Sequence, residues 1–353
     1  MCYHKILIKK FFLLSFLVLC CAFPLYADSP YKELQLFLRK HINFSDADLV
    51  AMQKGEVVSK ILKTSNHSEV AAFGVVRINV SGELFVDRFR DIVKFKKSDS
   101  VVEIGKFSDP PQLEDLKGLS FDVEDLEDMK KCVTGDCDVK LPVGLMQRLQ
   151  KDINWSAPDY KEKTNIVLRQ GLLNYVKSYL ATGNSALAEY HDKKKVIRLA
   201  DEFRALLGQS PYLFEYVPEF YKYLDDFPKT KLPNTENFIY WSVEKFGLKP
   251  VISITHVTIY KRYLQGKTYV LIASKQIYAS HYFDASLGLT ALADEVDDTS
   301  KPISYLMYLN RSRTDTLKGM FSGIKRSLIG GRVLEGMEKS LTLNKKNLER
   351  TTF

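Results

Sequence analysis

The sequence predicts an α+β fold: an antiparallel sheet closed by a long C-terminal helix, with a large, mostly helical insertion. Three observations carry that prediction. The last third of the chain turns to alternation, in Val251 to Arg262 (VISITHVTIYKR) and Tyr269 to Phe283 (YVLIASKQIYASHYF), the period of strands with two distinct faces. From about Phe321 to Glu349 the period lengthens, and Ile324, Leu328, Val333 or Leu334, Met337, Leu341 and Leu348 form the apolar stripe of a helix. Between residues 143 and 246 apolar residues recur every three or four positions, punctuated by Pro158, Pro211, Pro218, Pro228 and Pro233.

Taken in order, residues 1–27 read as a cleaved signal peptide. Lys5, Lys9 and Lys10 precede an apolar run, Phe11 to Cys21, that is too short to span a bilayer, and Leu25-Tyr26-Ala27 offers a small residue for cleavage. Neither Cys20 nor Cys21 follows a small residue, so lipid attachment is not expected. The mature chain is expected in the periplasm or outside the cell. The leader takes three lysines from a chain of net charge +8, and the mild basicity left gives no reason to expect nucleic acid as a partner. No later segment is apolar for long enough to cross a membrane.

Cleavage leaves Cys132 and Cys137 as the only cysteines, an even pair that in an oxidising compartment reads as a disulfide. Gly135 lets the short loop turn. Haem attachment would need a histidine where Asp138 stands, and a redox-active pair is usually tighter and at a helix start.

Residues 28–142 read as the front of the sheet domain. Pro30 to Leu62 suggests short amphipathic helices, with Leu34, Leu38 and Ile42 on one face and Ser45-Asp46-Ala47-Asp48 as a start signal. Ala71 to Val80 (AAFGVVRINV) is a strand, ended by Ser81-Gly82. Glu83 to Lys94 is a helix presenting Leu84, Phe85, Phe89 and Ile92 or Val93, and Val101 to Phe107 returns to strand before the turn Asp109-Pro110-Pro111. Leu113 to Asp138 carries nine carboxylates and three lysines. A calcium loop needs alternating oxygens and a turn glycine, whereas Val123, Leu126 and Met129 interleave here like a buried helix face.

Residues 143–246 form the helical insertion, with helices expected at Asn165 to Leu180, Val196 to Leu207, Tyr212 to Leu224 and Glu236 to Phe246. Lys193-Lys194-Lys195 opens one of them as a solvated end. The dense aromatics from Tyr212 to Tyr223 suit helix packing. Residues 247–353 supply the strands, with Gln265-Gly266-Lys267 as a hairpin turn and Ala285 to Leu292 and Ile303 to Arg313 as further strands, before the terminal helix.

The order strand, helix, strand, antiparallel run, terminal helix resembles the helix-grip organisation of the START and polyketide-cyclase-like (SRPBCC) superfamily. The segments that carry the resemblance are GVVRINVSGELFVDRFRDIVKF, residues 74–95, and YLMYLNRSRTDTLKGMFSGIKRSLIGGRVLEGMEKSL, residues 305–341. The resemblance implies a curved antiparallel sheet gripping the long C-terminal helix, with a cavity between them that receives an apolar or amphipathic small molecule, commonly a lipid or a polycyclic compound.

Eight residues are candidates for that site: Phe85 and Phe89 in the front helix, and Ile254, His256, Tyr278, Tyr282, Arg311 and Arg313 in the sheet. Alternation puts His256 on one face with Ile252, Ile254, Thr258 and Tyr260. It puts Tyr278 and Tyr282 on one face of the next strand, with His281 opposite. Two readings stand. Arginine clamps a ligand's anionic group at a cavity mouth while tyrosine and histidine orient it; or Arg311 or Arg313 pairs with Asp284 or Asp315 and His256 is a hydrogen-bonded, partly buried side chain. His281, Tyr282 and Asp284 suggest a hydrolase, but alternation separates His281 from the other two.

No nucleophile elbow, phosphate loop, zinc spacing or dinucleotide fingerprint is present, so no catalytic residue, metal or cofactor is expected. From Lys318 onward eight basic residues face three acidic ones, which suits peripheral contact with an anionic membrane. The leading expectation is an exported, non-enzymatic binder of an apolar or amphipathic small molecule. The alternative is an envelope interaction module using the helical middle, and third comes an esterase or cyclase-like enzyme.

Overall fold

The computed structural model describes residues 30–245, 249–264, 267–296, 301–314, 317 and 322–350; the expected signal peptide and the turn at Gln265-Gly266 lie outside the described residues. Helix α1 (Pro30–Phe37) runs into a π-helical turn, Leu38–Ile42, that ends at Asn43 with φ 61°. Helix α2 (Asp46–Gln53) begins with the expected cap: Asp48 N–H donates to Ser45 Oγ at 3.3 Å, and Ser45 N–H donates back to the Asp48 carboxylate at 2.7 Å. Strands β1 (Val58–Leu62) and β2 (Glu69–Ile78) follow, then helices α3 (Gly82–Arg90) and α4 (Ile92–Phe95), which part at Asp91, and strand β3 (Val101–Lys106).

Next come α5 (Val123–Met129), α6 (Val143–Asp152) and α7 (Tyr160–Thr182), then a two-residue pair β4 (Glu189–Tyr190) and β5 (Ile197–Arg198). Helices α8 (Leu199–Gly208), α9 (Pro211–Tyr216) and α10 (Pro218–Asp226) precede β6 (Thr235–Lys245), β7 (Pro250–Leu264), β8 (Lys267–Ala279), β9 (Phe283–Val296) and β10 (Pro302–Thr314). Helix α11 (Ser322–Glu349) ends the chain.

Eight strands form one sheet in the order β1-β2-β10-β9-β8-β7-β6-β3, and every neighbouring pair is antiparallel. The sheet ends at β1 and β3 and does not close into a barrel. The α+β class, the large antiparallel sheet and the C-terminal helix are as the sequence predicts.

Each face of the sheet is covered differently. On one side α1, α2 and the helices from α5 to α10 pack onto Phe73, Val75, Ile239, Trp241, Ile252, Ile254, Leu287 and Leu309. On the other, α3, α4 and α11 pack onto Ala72, Val76, Ile78, Val257, Ile259, Val270, Ile272, Leu292 and Leu306. Helix α11 lies beside β2 so closely that a Cβ on Gly74 would sit 2.6 Å from Leu341 Cδ1. Only glycine leaves room for that approach.

Several boundaries differ from expectation. Val58–Leu62, expected within a helical stretch, is the edge strand β1, held by the ladder from Val58↔Val75 to Leu62↔Ala71. Of Glu236 to Phe246, expected as a helix, the part to Lys245 is strand β6 and Phe246 lies outside the described residues, so the helical insertion ends at Asp226. Its run Ile239–Glu244 is buried without a break, because a central strand covered on both faces loses the alternation that marks a strand in sequence. Lys193-Lys194-Lys195 opens no helix; Lys193 bridges to Asp136, and α8 starts at Leu199. Val123, expected on the buried face of α5, is 55% exposed.

Candidate functional site

The structure does not gather the eight candidates at one site. Phe85 and Phe89 lie on the α11 face, their rings stacked 5.8 Å apart. Ile254, His256, Tyr278, Arg311 and Arg313 point to the opposite face, beneath the helical layer. For Tyr278 the reason is a β-bulge between Ile254 and Thr255, where β8 carries an extra residue, Ile277, and side-chain alternation is reset. Tyr282 lies beyond the end of β8, with φ 59°, and its hydroxyl accepts the Lys249 N–H at 3.0 Å.

Polar groups under the helical layer are buried, and most meet a partner within the fold, Arg311 Nε being one that makes no hydrogen bond. His256 Nδ1 accepts the Tyr179 hydroxyl at 2.9 Å, and its Nε2–H donates to Asn237 Oδ1 at 3.0 Å, an arrangement that suits the neutral ring. Burial, aided by the Lys275 charge, lowers its pKa to about 3. The Lys275 ammonium bonds to Asn184 Oδ1 and sits 3.7 Å from the centre of the Phe203 ring. Burial pushes its pKa well below the usual lysine range.

Arg311 Nη1 donates to Glu69 Oε1 at 2.6 Å, and Arg313 reaches Glu69 Oε2 at 3.4 Å and Glu202 Oε2 at 2.8 Å. Glu69 is fully buried. The two arginines are thus structural ion pairs, with Glu69 and Glu202 as partners in place of the Asp284 expected for them; Asp315 lies outside the described residues. His281 donates from Nε2 to Asp125 Oδ2 at 2.9 Å and faces the Asp138 carbonyl at 3.1 Å from Nδ1, while Lys140 pairs with Asp284 at 3.1 Å. His281, Tyr282 and Asp284 therefore engage three different partners. A disulfide joins Cys132 and Cys137 beside this network, and Cys137 N–H donates to the Asp192 carbonyl at 2.8 Å. Among the described residues, no three His, Cys, Asp or Glu side chains group as metal ligands, and no helix is long and apolar enough to cross a membrane.

The α11 face has a different character. Along each central strand, the residues facing α11 change half-way from large and apolar to small and polar. On β7, Ile259 and Val257 give way to Thr255 and Ser253; on β8, Val270 and Ile272 give way to Ser274 and Gln276. On β9, Leu292 is followed in space by Thr290, Gly288 and Ser286, and on β10 Leu306 by Tyr308, Asn310 and Ser312. On β6, Phe238 precedes Tyr240, Ser242 and Glu244. The apolar half lies under α3 and α4.

The polar half is a basin. Ser274, Gln276, Ser286, Tyr308, Asn310 and Ser312 are half-buried, so water reaches them. They bond sideways across the strands: Ser286 to Ser312 at 2.8 Å, Asn310 Nδ2 to Ser286 Oγ at 3.3 Å, and Gln276 Nε2 to Ser253 Oγ at 2.9 Å. Gly288 makes room for Tyr308, whose hydroxyl would lie 3.1 Å from a Cβ there.

One ion pair stands at the β6 side, with Lys96 Nζ 2.8 Å from Glu244 Oε1 and Ser242 donating to the same carboxylate at 2.6 Å. Burial works against the Lys96 charge, but Tyr240 and Glu244 outweigh it and raise the pKa. Tyr240 on β6 and Tyr308 on β10 would stand about 19 Å apart on a flat sheet. Both reach Lys96, whose Nζ lies 3.4 Å from the Tyr240 hydroxyl and interacts electrostatically with Tyr308.

Sequence reasoning did not single out this basin, although its signal was present in the serines and threonines at alternate positions of successive strands. No protein-family model matches the chain, and comparison with curated proteins finds no match.

Proposed function

We propose that this chain is an exported, non-enzymatic protein that binds an amphipathic small molecule on the α11 face of its sheet. The polar basin takes the ligand's head, and the apolar surfaces of α11, α3 and α4 take its hydrophobic part. One observation carries this reading: a polar floor continuous across five strands, half-buried where it crosses β8, β9 and β10, adjoining apolar surface on the same face. A floor that served only packing would be filled with aliphatic side chains, as the other half is.

The helix-grip organisation is part of the same proposal. Its support is that β2, which precedes the helix pair, and β10, which ends the strand run, are neighbours with α11 beside them. A disulfide in a chain with a signal-like start supports export. Peripheral contact with an anionic membrane fits as the route by which an amphiphile is collected. The alternative, partner docking through the helical middle, draws support from Phe214 and Tyr216, which are 66% and 43% exposed.

The test is native mass spectrometry of protein purified from its own host without detergent, followed by extraction of bound molecules. The expected result is a stoichiometric amphiphile in the wild type and in Tyr278→Phe, lost in Ser286→Trp with the circular dichroism unchanged. An adduct equally present in Ser286→Trp, or empty protein that captures nothing from host extract, overturns the proposal.

A further inference from the structure

Resting on that reading of the basin, we infer that the head group it holds is an uncharged, polyhydroxylated group, of the sugar or polyol class, in place of a phosphate or carboxylate. The first argument is charge. Among the described residues the cation that faces the basin is Lys96, and Glu244 neutralises it at 2.8 Å. Arg326, at the foot of α11, turns its guanidinium to the His67 carbonyl at 3.2 Å and to the Thr64 hydroxyl. Arg311 and Arg313, which would have clamped an anion, lie on the far side of the sheet with Glu69. An anion moved from water into a half-buried place whose described cation is already neutralised loses solvation that neutral groups replace poorly.

The second argument is hydrogen-bond grammar. A serine hydroxyl offers one donor and two lone pairs, and a carboxamide offers both kinds of group, so Ser286, Ser312, Asn310 and Gln276 can give and receive at once. Their mutual bonds show them doing both: Ser312 Oγ donates to Asn310 Oδ1 at 2.7 Å while Asn310 Nδ2 donates to Ser286 Oγ at 3.3 Å. A ligand hydroxyl also gives and receives, and it matches such a floor. A phosphate at neutral pH mainly accepts, and leaves the acceptor half of the floor unmet.

The third argument is shape. Gly288 removes a side chain from the middle of the floor, and the Tyr308 ring leans over it. The Tyr308 ring, which occupies the room that Gly288 leaves, thus gives the floor an aromatic face beside its hydroxyls, a surface suited to the C–H face of a ring.

The experiment matches the tails and varies only the head. The purified chain is titrated below the micellar limit with octyl glucoside, octyl phosphate and octanoate, each followed by calorimetry, in wild type and in Glu244→Gln. Octyl glucoside is expected to bind at least about tenfold tighter than either anion, and Glu244→Gln, which leaves Lys96 uncompensated, is expected to raise octyl phosphate affinity by about tenfold. Tighter binding of octyl phosphate to the wild type, lost in Ser286→Trp, overturns this inference and leaves the amphiphile reading standing. No binding of any of the three overturns both. If Glu244→Gln fails to fold, Asn310→Leu serves: its loss of octyl glucoside affinity without loss of octyl phosphate affinity supports the inference, and equal loss of both overturns it.

Discussion

The two faces of one sheet handle their polar side chains in opposite ways. Under the helical layer, His256, Lys275, Glu69, Arg311 and His281 are almost entirely buried, and each meets a partner within the fold. On the α11 face, Ser274, Ser286, Ser312, Asn310 and Gln276 remain within reach of water and form a continuous floor. Buried charge of the first kind fixes how the layers register, because a misplaced helix would strand an ion without its partner. Half-buried neutral polarity of the second kind adds little to stability and is available to a ligand.

The largest effect should come from breaking the first face. Glu69→Ala leaves Arg311 and Arg313 buried without their shared carboxylate, at an expected loss of about 3–5 kcal/mol in denaturant unfolding. A loss under about 1 kcal/mol would mean that water screens the pair and that the contrast between faces is overstated.

Next comes the contact that holds α11. Gly74→Val places carbon where Leu341 and Met337 already lie, 2.6 and 2.8 Å from the first added atom. We expect about 1–3 kcal/mol of destabilisation, with hydrogen-exchange protection lost over residues 337–348 ahead of the rest. Uniform loss across the chain would argue that α11 is integral to the whole fold.

A third prediction concerns pH. His256 is held neutral with a pKa of about 3, whereas in the unfolded chain it titrates near its ordinary value of 6.5. As pH falls below about 6.5 the unfolded state takes up a proton that the native state refuses, so stability declines by up to about 1.4 kcal/mol per pH unit until pH approaches 3. Above pH 6.5 this group contributes no slope. The stability difference between wild type and His256→Gln, measured from pH 6 to pH 4, should shrink with that slope; parallel curves would remove the assignment.

Smallest of all, Ser286→Ala and Ser312→Ala should each shift stability by no more than about 0.5 kcal/mol. A loss above about 1.5 kcal/mol in thermal or denaturant unfolding would make the basin a structural network like its counterpart on the other face.

Much of the fold was legible because its signals are local. The Ser45 cap, the strand around Val75, the helix carrying Phe85 and Phe89 and the alternation of β7 each rest on neighbouring residues. β6 was missed because burial on both faces erases alternation, and β1 because five residues pair only with a partner strand elsewhere in the chain. The candidate site was less legible. Alternation correctly grouped Ile254 with His256, but the bulge at Ile277 moved Tyr278 to their face, and nothing along the chain indicates that Phe85 would lie on the other side of the sheet.

By itself, then, the sequence determined the class of fold, the polar and apolar rows of each strand, and the proximity of Cys132 and Cys137, because these follow from backbone periodicity and short-range geometry. Only the tertiary structure decided which row faces α11, that Glu69 and not Asp284 holds Arg311 and Arg313, and that serines from successive strands join into one floor. Those outcomes depend on strand order, which brings together residues as distant as Glu69 and Arg311 through contacts that no local pattern encodes.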